Sequence, residues 1–332
     1  ELGDSAGIVG CLRSLGNAAF LGDDFPSARH HFSEALRVSR EISDTRGIAH
    51  AAGSLALVAE ELCELEFAES LWEEAVELAR TSGEMNILAW GLQHLGRNRQ
   101  DREEYAAAKA CYEEALTVSQ SVEFNAVTVS SLDGLALIAD AQGDYSLARE
   151  YVAESLRISG RIGDLHGTSI WLRTLGSVAF HEGDLDSAET SFTESLELVR
   201  KHGGRRDLAL TLSDLGRLEL VRGKVELARS RFEESLDLCR QTNFTRGIAM
   251  GLDNLGALSM REGEAAWAVT LWACASGLRE GKLLPLPTRE RQRNEQEIGE
   301  ARAALGSEAF EQAWEAGVGM DPMEALTPLR SV

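Results

Sequence analysis

The chain has 332 residues, 44% of them hydrophobic, with a formal net charge of −21 and five cysteines. That charge repels nucleic acid and anionic membrane at long range. No apolar run reaches the roughly 18 residues of a membrane helix, and an odd cysteine count without Cys-x-x-Cys argues against a disulfide framework or zinc site.

These limits point to a cytoplasmic protein without cofactor, metal, nucleic-acid contact or membrane anchor. The acidity serves solubility, or else a basic partner. No basic region followed by an apolar stretch marks a secretory signal. The chain begins with Glu1 and not Met, which suggests a piece of a longer polypeptide. Cys11, Cys63, Cys111, Cys239 and Cys274 read as small apolar core residues.

From the start of the chain the same chemistry returns every 40 residues, seven times. Leu15, Leu55, Leu95, Leu135, Leu175, Leu215 and Leu255 form one column, and the next residue is always Gly or Ala. Thirteen residues after each Leu stands an Ala, from Ala28 to Ala268. Four further on lies a large apolar residue: Phe32, Trp72, Tyr112, Val152, Phe192, Phe232 or Trp272. A fixed period of this size marks stacked repeats, each of which buries its apolar face on its neighbours.

Each unit reads as two amphipathic helices, A and B. In the fifth, Ile170, Leu172, Leu175, Val178 and Ala179 keep helical spacing until Gly183, and Leu185, Ala188, Phe192 and Leu196 resume it. Links at Gly22, Gly143, Gly183, Gly223 and Gly263 separate A from B, and links near Asp44, Asp164 and Gly203 separate B from the next A. Asp184, Asp144 and Asp23 are the expected N-caps. The small residue after each Leu lets helices approach, and the large B-helix residue fills the space left. A B-helix column of Glu34, Glu74, Glu114, Glu154, Glu194 and Glu234 reads as a solvated outer face. Its members, on successive repeats roughly 10 Å apart, are too distant to share a cation.

The Leu-Gly and Ala-x-x-x-Phe columns, with a further Ala three residues on, resemble the tetratricopeptide repeat. The period of 40 exceeds the family's usual length of about 34. Arg40, Arg80 and Arg200 stand where the family pattern ends in Pro. The resemblance implies an all-α fold, a right-handed α-solenoid of about seven helix pairs over residues 1–282, with a helical C-terminal cap over 283–332. In the cap, Thr288 starts a helix to about Leu305, Ser307 another to about Ala316, and Asp321-Pro322 a short last one. The run Arg289-Glu290-Arg291-Gln292-Arg293 reads as a solvated helix.

The tail, from Trp272 through Leu284-Pro285-Leu286-Pro287 to Phe310 and Trp314, resembles the end of bacterial regulators that join a STAND-class NTPase to tetratricopeptide repeats, LuxR-type (MalT-like) proteins among them. That resemblance implies a sensor arm. It would bind a small-molecule inducer or a protein and release an NTPase module of the same polypeptide for transcription regulation. The alternative is a free-standing adaptor that binds peptides of partner proteins. No phosphate loop, His-Glu-x-x-His or Gly-x-Ser-x-Gly occurs in the chain, and nothing argues for an enzyme.

In this family the A helices line the concave surface, at positions five and two before and two and five after each repeat Leu. Carried over, these include His50, Arg13, Asp253, Asn17, Leu57, Glu60, Asp140 and Met260. Two clusters stand out as ligand or partner contacts. Trp90, Gln93, His94 and Arg97 share one helix face and suit a peptide, an acidic side chain or a flat ring. Arg173, Ser177 and Arg217, with Phe180 beside them, form an expected anion patch. Arg13, Asn17 and Asp133 complete the candidate set. The family's carboxylate clamp is excluded, because Leu57 stands where its next Asn belongs. Trp171, in an otherwise small column, either packs between repeats, which is the favoured reading, or projects toward the groove.

Overall fold

The computed structural model describes residues 5–62, 64–282, 286 and 288–322, and among them every regular element is a helix. The first helix of each pair spans Ser5–Leu21 (α1), Thr45–Glu61 (α3), Met85–Asp101 (α5), Asn125–Ala141 (α7), Leu165–Glu182 (α9), Arg205–Val221 (α11) and Thr245–Arg261 (α13). The second spans Phe25–Glu41 (α2), Leu65–Ser82 (α4), Tyr105–Ser121 (α6), Tyr145–Ile162 (α8), Leu185–His202 (α10), Val225–Gln241 (α12) and Ala265–Lys282 (α14). Thr288–Leu305 (α15) and Ser307–Gly317 (α16) follow. Every A helix begins 40 residues after the last, so the sequence period is the structural period. The packing falls into two compact units, Glu1–Ile138 and Ala139–Val332.

The columns pack as their chemistry requires. All seven B-helix alanines are fully buried, and the large residues four positions on are at most 2% exposed. A Cβ added to Gly16, Gly176 or Gly216 would come within 2.4–2.5 Å of the ring of Phe32, Phe192 or Phe232. The aromatic therefore lies against bare backbone, where the dense packing of protein interiors leaves no room for a methyl group. In the second unit Trp171 is buried, and its indole N–H donates to Ser159 Oγ at 3.0 Å. That is the packing role expected for it.

The links match expectation with one correction. Asp144, Asp164 and Asp184 cap their helices, accepting from Leu147, Gly167 and Ser187 backbone N–H groups at 2.9–3.1 Å. In the first link the cap is Asp24, which accepts from Ser27 N, while Asp23 carries the left-handed φ of 59°. Gly143 and Gly183 supply that left-handed residue in their links, with φ of 79° and 93°. Without such a glycine the left-handed residue is Asp23, Ser43, Glu103, Glu123 or Asn243, of which only Asp and Asn tolerate that backbone readily.

Three further expectations change. Cys11 is exposed, although Cys111, Cys239 and Cys274 are buried as expected. Burial pushes the Cys239 and Cys274 thiols up to about 11. Leu15, on the first helix, is 53% exposed, unlike its buried counterparts Leu55, Leu95 and Leu135. The Arg289–Arg293 helix is not solvated all round: Arg289 and Arg293 are half-buried and Asn294 is buried. Cys63, Pro285, Pro287 and the continuation of the last expected helix beyond Pro322 lie outside the described residues.

The outer Glu column is exposed to intermediate, and three of its members pair with an arginine of the preceding repeat. Arg40 reaches Glu74 at 2.7 Å, Arg80 reaches Glu114 at 2.5 Å and Arg200 reaches Glu234 at 3.5 Å. These arginines occupy the positions where the repeat pattern has Pro. Each pair spans 34 residues and joins one repeat to the next. Exposed pairs of this kind are each worth only about 0–1 kcal/mol.

Candidate binding face on the A helices

The inner positions of neighbouring A helices meet one another, which places them on one face within each unit. In the first unit Arg13 Nη2 lies 3.1 Å from His50 Nδ1. A guanidinium has no acceptor, so His50 accepts and is neutral. Burial, with Arg13 and Arg46 close by, pushes the His50 pKa down to about 4. Burial and Arg46 likewise hold the Arg13 guanidinium below its ordinary value. Arg13 Nε is buried without a hydrogen-bond partner. Asn17, one turn further along α1, is exposed.

A second assembly is centred on Glu60, whose side chain is 8% exposed. Its carboxylate accepts from Trp72 Nε1 at 2.9 Å, lies 3.1 Å from His94 Nδ1, and pairs with Arg97. Burial pushes the Glu60 pKa up, but the His94, Arg97 and Trp72 contacts outweigh it and hold the group below its usual range. The His94 ring stacks on Trp72, centroids 4.5 Å apart, and Trp90 meets both edge-on at 4.9 and 5.6 Å. Burial keeps His94 neutral more strongly than Glu60 charges it. Of the expected cluster, therefore, Trp90 and Gln93 are half-buried and Arg97 exposed, while His94 is a buried support. Asp133 is half-buried further along the same unit.

In the second unit the two arginines of the expected anion patch share a carboxylate. Arg173 Nη1 lies 3.2 Å from Asp214, and Arg217 lies 3.9 Å from it. Arg217 also stands over the Phe180 ring at 5.3 Å. Ser177 is half-buried on the same helix as Phe180. Two half-buried cations sharing one carboxylate leave a net positive charge on this patch. An open depression of about 410 Å³ lies elsewhere in this unit, lined by Arg149, Leu175, Asp186 and Thr190 among others. It gathers none of the inner-face candidates.

Sequence reasoning placed Glu60, His50, Asp140 and Asp253 on the inner face without giving them a role. A charged or imidazole side chain at an inner register position is the signal that could have found them. Among the described residues no group of three or more His, Cys, Asp or Glu side chains is placed to hold a metal, and no helix is long and apolar enough to cross a membrane.

No curated protein matches the sequence. Among solved structures the chain is similar to the apo form of RapI, with 14% identity, a TM-score of 0.67, and 88% of this chain and 99% of that one covered. It is also similar to a Rap protein complexed with competence and sporulation factor (10% identity, TM-score 0.65, 98% and 97% covered). A third is the Rap conjugation gene regulator of plasmid pLS20 in complex with a Phr peptide (14%, 0.60, 89% and 75%). At these identities the likeness establishes the fold. The family model for the tetratricopeptide repeat matches residues 87–160 and 167–241, and these stretches are tetratricopeptide repeats.

Proposed function

We propose that the protein is an adaptor that docks a peptide of a partner protein, through an acidic side chain, on the inner face of its first unit. The observation that carries this reading is Arg13. Its guanidinium is half-buried beside a neutral His50 and a second cation, Arg46, whose effect outweighs that of the nearby Asp44 carboxylate, and its Nε is unpartnered. A buried donor without an acceptor is costly, and an incoming carboxylate would satisfy both its hydrogen bonding and its charge. Asn17 would flank that carboxylate. Trp90, Gln93, Arg97 and Asp133 would contact the rest of the peptide, and the Glu60–His94–Trp72 assembly would hold Trp90 and Arg97 in place. Two of the similar structures, with competence and sporulation factor and with a Phr peptide, lend this reading support by fold.

The test is fluorescence anisotropy of the full chain with two short labelled peptides, one acidic and aromatic, the other its lysine-substituted counterpart. The acidic peptide should bind more tightly, and Arg13→Gln and Arg97→Gln should each weaken it about tenfold, roughly 1.4 kcal/mol. Equal binding of both peptides, or no response to either variant, would sink the proposal. Gln is the right replacement at Arg97. Glu there would face the buried Glu60 carboxylate and unsettle the fold itself.

A sensor arm of a STAND-type regulator, with an NTPase module in the same polypeptide and a small-molecule inducer, has the sequence of the tail in its favour. A phosphate-loop sequence encoded beside these repeats in the native gene would raise it above the adaptor.

A further inference from the structure

α15 carries four arginines and four glutamates among its 18 residues, yet one stripe of it is packed. Arg289, Glu290, Arg293, Asn294, Glu297, Ile298, Ala301 and Leu305 are half-buried or buried. Its two halves are held differently. Towards the C-terminus, Ile298, Ala301 and Leu305 join an apolar cluster with Met260, Val269, Trp272 and Phe310. Towards the N-terminus the contacts are polar and fall on inner positions of the second unit.

There Arg289 donates to Asp140 twice, Nη1 to Oδ2 at 3.1 Å and Nη2 to the backbone carbonyl at 2.8 Å. His181 Nδ1 lies 2.7 Å from the same Oδ2. Arg293, Glu290 and Glu297 are close enough to Arg217 to act on its charge. Asn294 lies close enough to Asp253 to favour its charged form, and Asp253 also pairs with Arg279. Asp140, Arg217 and Asp253 stand five after, two after and two before their repeat leucines. The helix therefore lies across the face that the register marks as inward.

The fit is incomplete. Asp140 Oδ1, His181 Nε2 and Asp253 Oδ1 on the floor, and Arg293 Nε and Glu297 Oε2 on α15, are buried without a hydrogen-bond partner. Asp140 and Asp253 are 6% and 2% exposed. Each of these atoms is buried without a protein hydrogen-bond partner, so the polar half of α15 only partly satisfies the surface it covers.

We infer that this face of the second unit is a docking site for a polar helix of a partner protein with two arginines four residues apart, as Arg289 and Arg293 are in α15. The N-terminal half of α15 fills it until such a helix takes its place. An arginine-bearing helix fits the unsatisfied carboxylates and the net charge of −21. The inference goes beyond the acidic-peptide site. It lies in the other unit, takes the opposite charge, and rests on its own observations.

The probe is a labelled peptide with the sequence of Thr288–Leu305, titrated into the full chain. Wild type should take it up weakly, and Arg289→Glu, which repels α15 from Asp140, should bind it at least tenfold more tightly. Adding Asp140→Asn should return binding to the wild-type level. In wild type, excess unlabelled peptide should raise hydrogen exchange over residues 288–297. No uptake by the Arg289→Glu chain, or uptake indifferent to Asp140→Asn, overturns the inference. So does dimerisation of that variant without uptake, which would mean that α15 is exchanged between copies. If circular dichroism shows Arg289→Glu misfolded, the exchange measurement decides, and unchanged exchange overturns it. Failure here leaves the first unit's site untested, because that site is read with an acidic probe and variants on α1 and α5.

Discussion

One methyl group is enough to disturb the contact at Gly216. A Cβ there would stand 2.5 Å from the Phe232 ring, which is 1% exposed and has nowhere to retreat. Overpacking of this kind costs about 1–3 kcal/mol, against a gain in helix propensity of about 1 kcal/mol for Gly→Ala. Gly216→Ala should therefore lower the urea midpoint by the equivalent of up to about 2 kcal/mol. A stabilised variant would show that Phe232 can rotate away. His50 makes a different demand, because it is held neutral with a pKa near 4 against about 6.5 in the unfolded chain. Between those values the unfolded state binds more protons, so stability is fully present above about pH 6.5 and is lost as pH falls towards 4. His50→Gln should flatten that part of a stability–pH curve measured by urea unfolding. An unchanged slope would place the acid sensitivity elsewhere, His94 being the next buried imidazole.

At the scale of an element, the helices begin where a side-chain oxygen can take over orphan N–H groups. Asp184 caps α10 through Ser187 N at 3.1 Å. Asp184→Ala should cost about 1 kcal/mol, read as a lower melting temperature with unchanged helicity. No change would mean that solvent caps the helix as well. Helix boundaries were legible in sequence because Gly, Asp and the apolar stripe act over a few residues. The first link shows the limit. Asp23 and Asp24 are chemically identical, and the residue forced into left-handed backbone is set by a shift of one position. The burial of one face of α15 was not legible for another reason. The Arg289–Asp140 contact spans 149 residues, and a pairing made once leaves no period to read. The same holds for Glu60, whose partners His94 and Arg97 lie in the next repeat and recur nowhere else in that arrangement.

For the whole molecule, the period carried the fold because each pair buries its apolar face on its neighbours, so one rule repeated seven times is enough. It carried much less of the candidate site, since a surface suited to one partner must break the repeat. The outer Arg–Glu pairs belong to the repeating part, and they are addressed by offset and not by identity. Arg40, Arg80 and Arg200 each reach a glutamate 34 residues on, whereas Arg240, which meets Cys274 at that offset, turns to Asp237. Loss of residues 41–80 in one step would set Arg40 opposite Glu114, the acceptor that Arg80 now holds. The outer seam would then close over the gap without a mismatched charge. A gene encoding such a chain can lose that unit by unequal recombination and still specify a matched join at this seam, so the count of repeats there is free to vary while the contact is not.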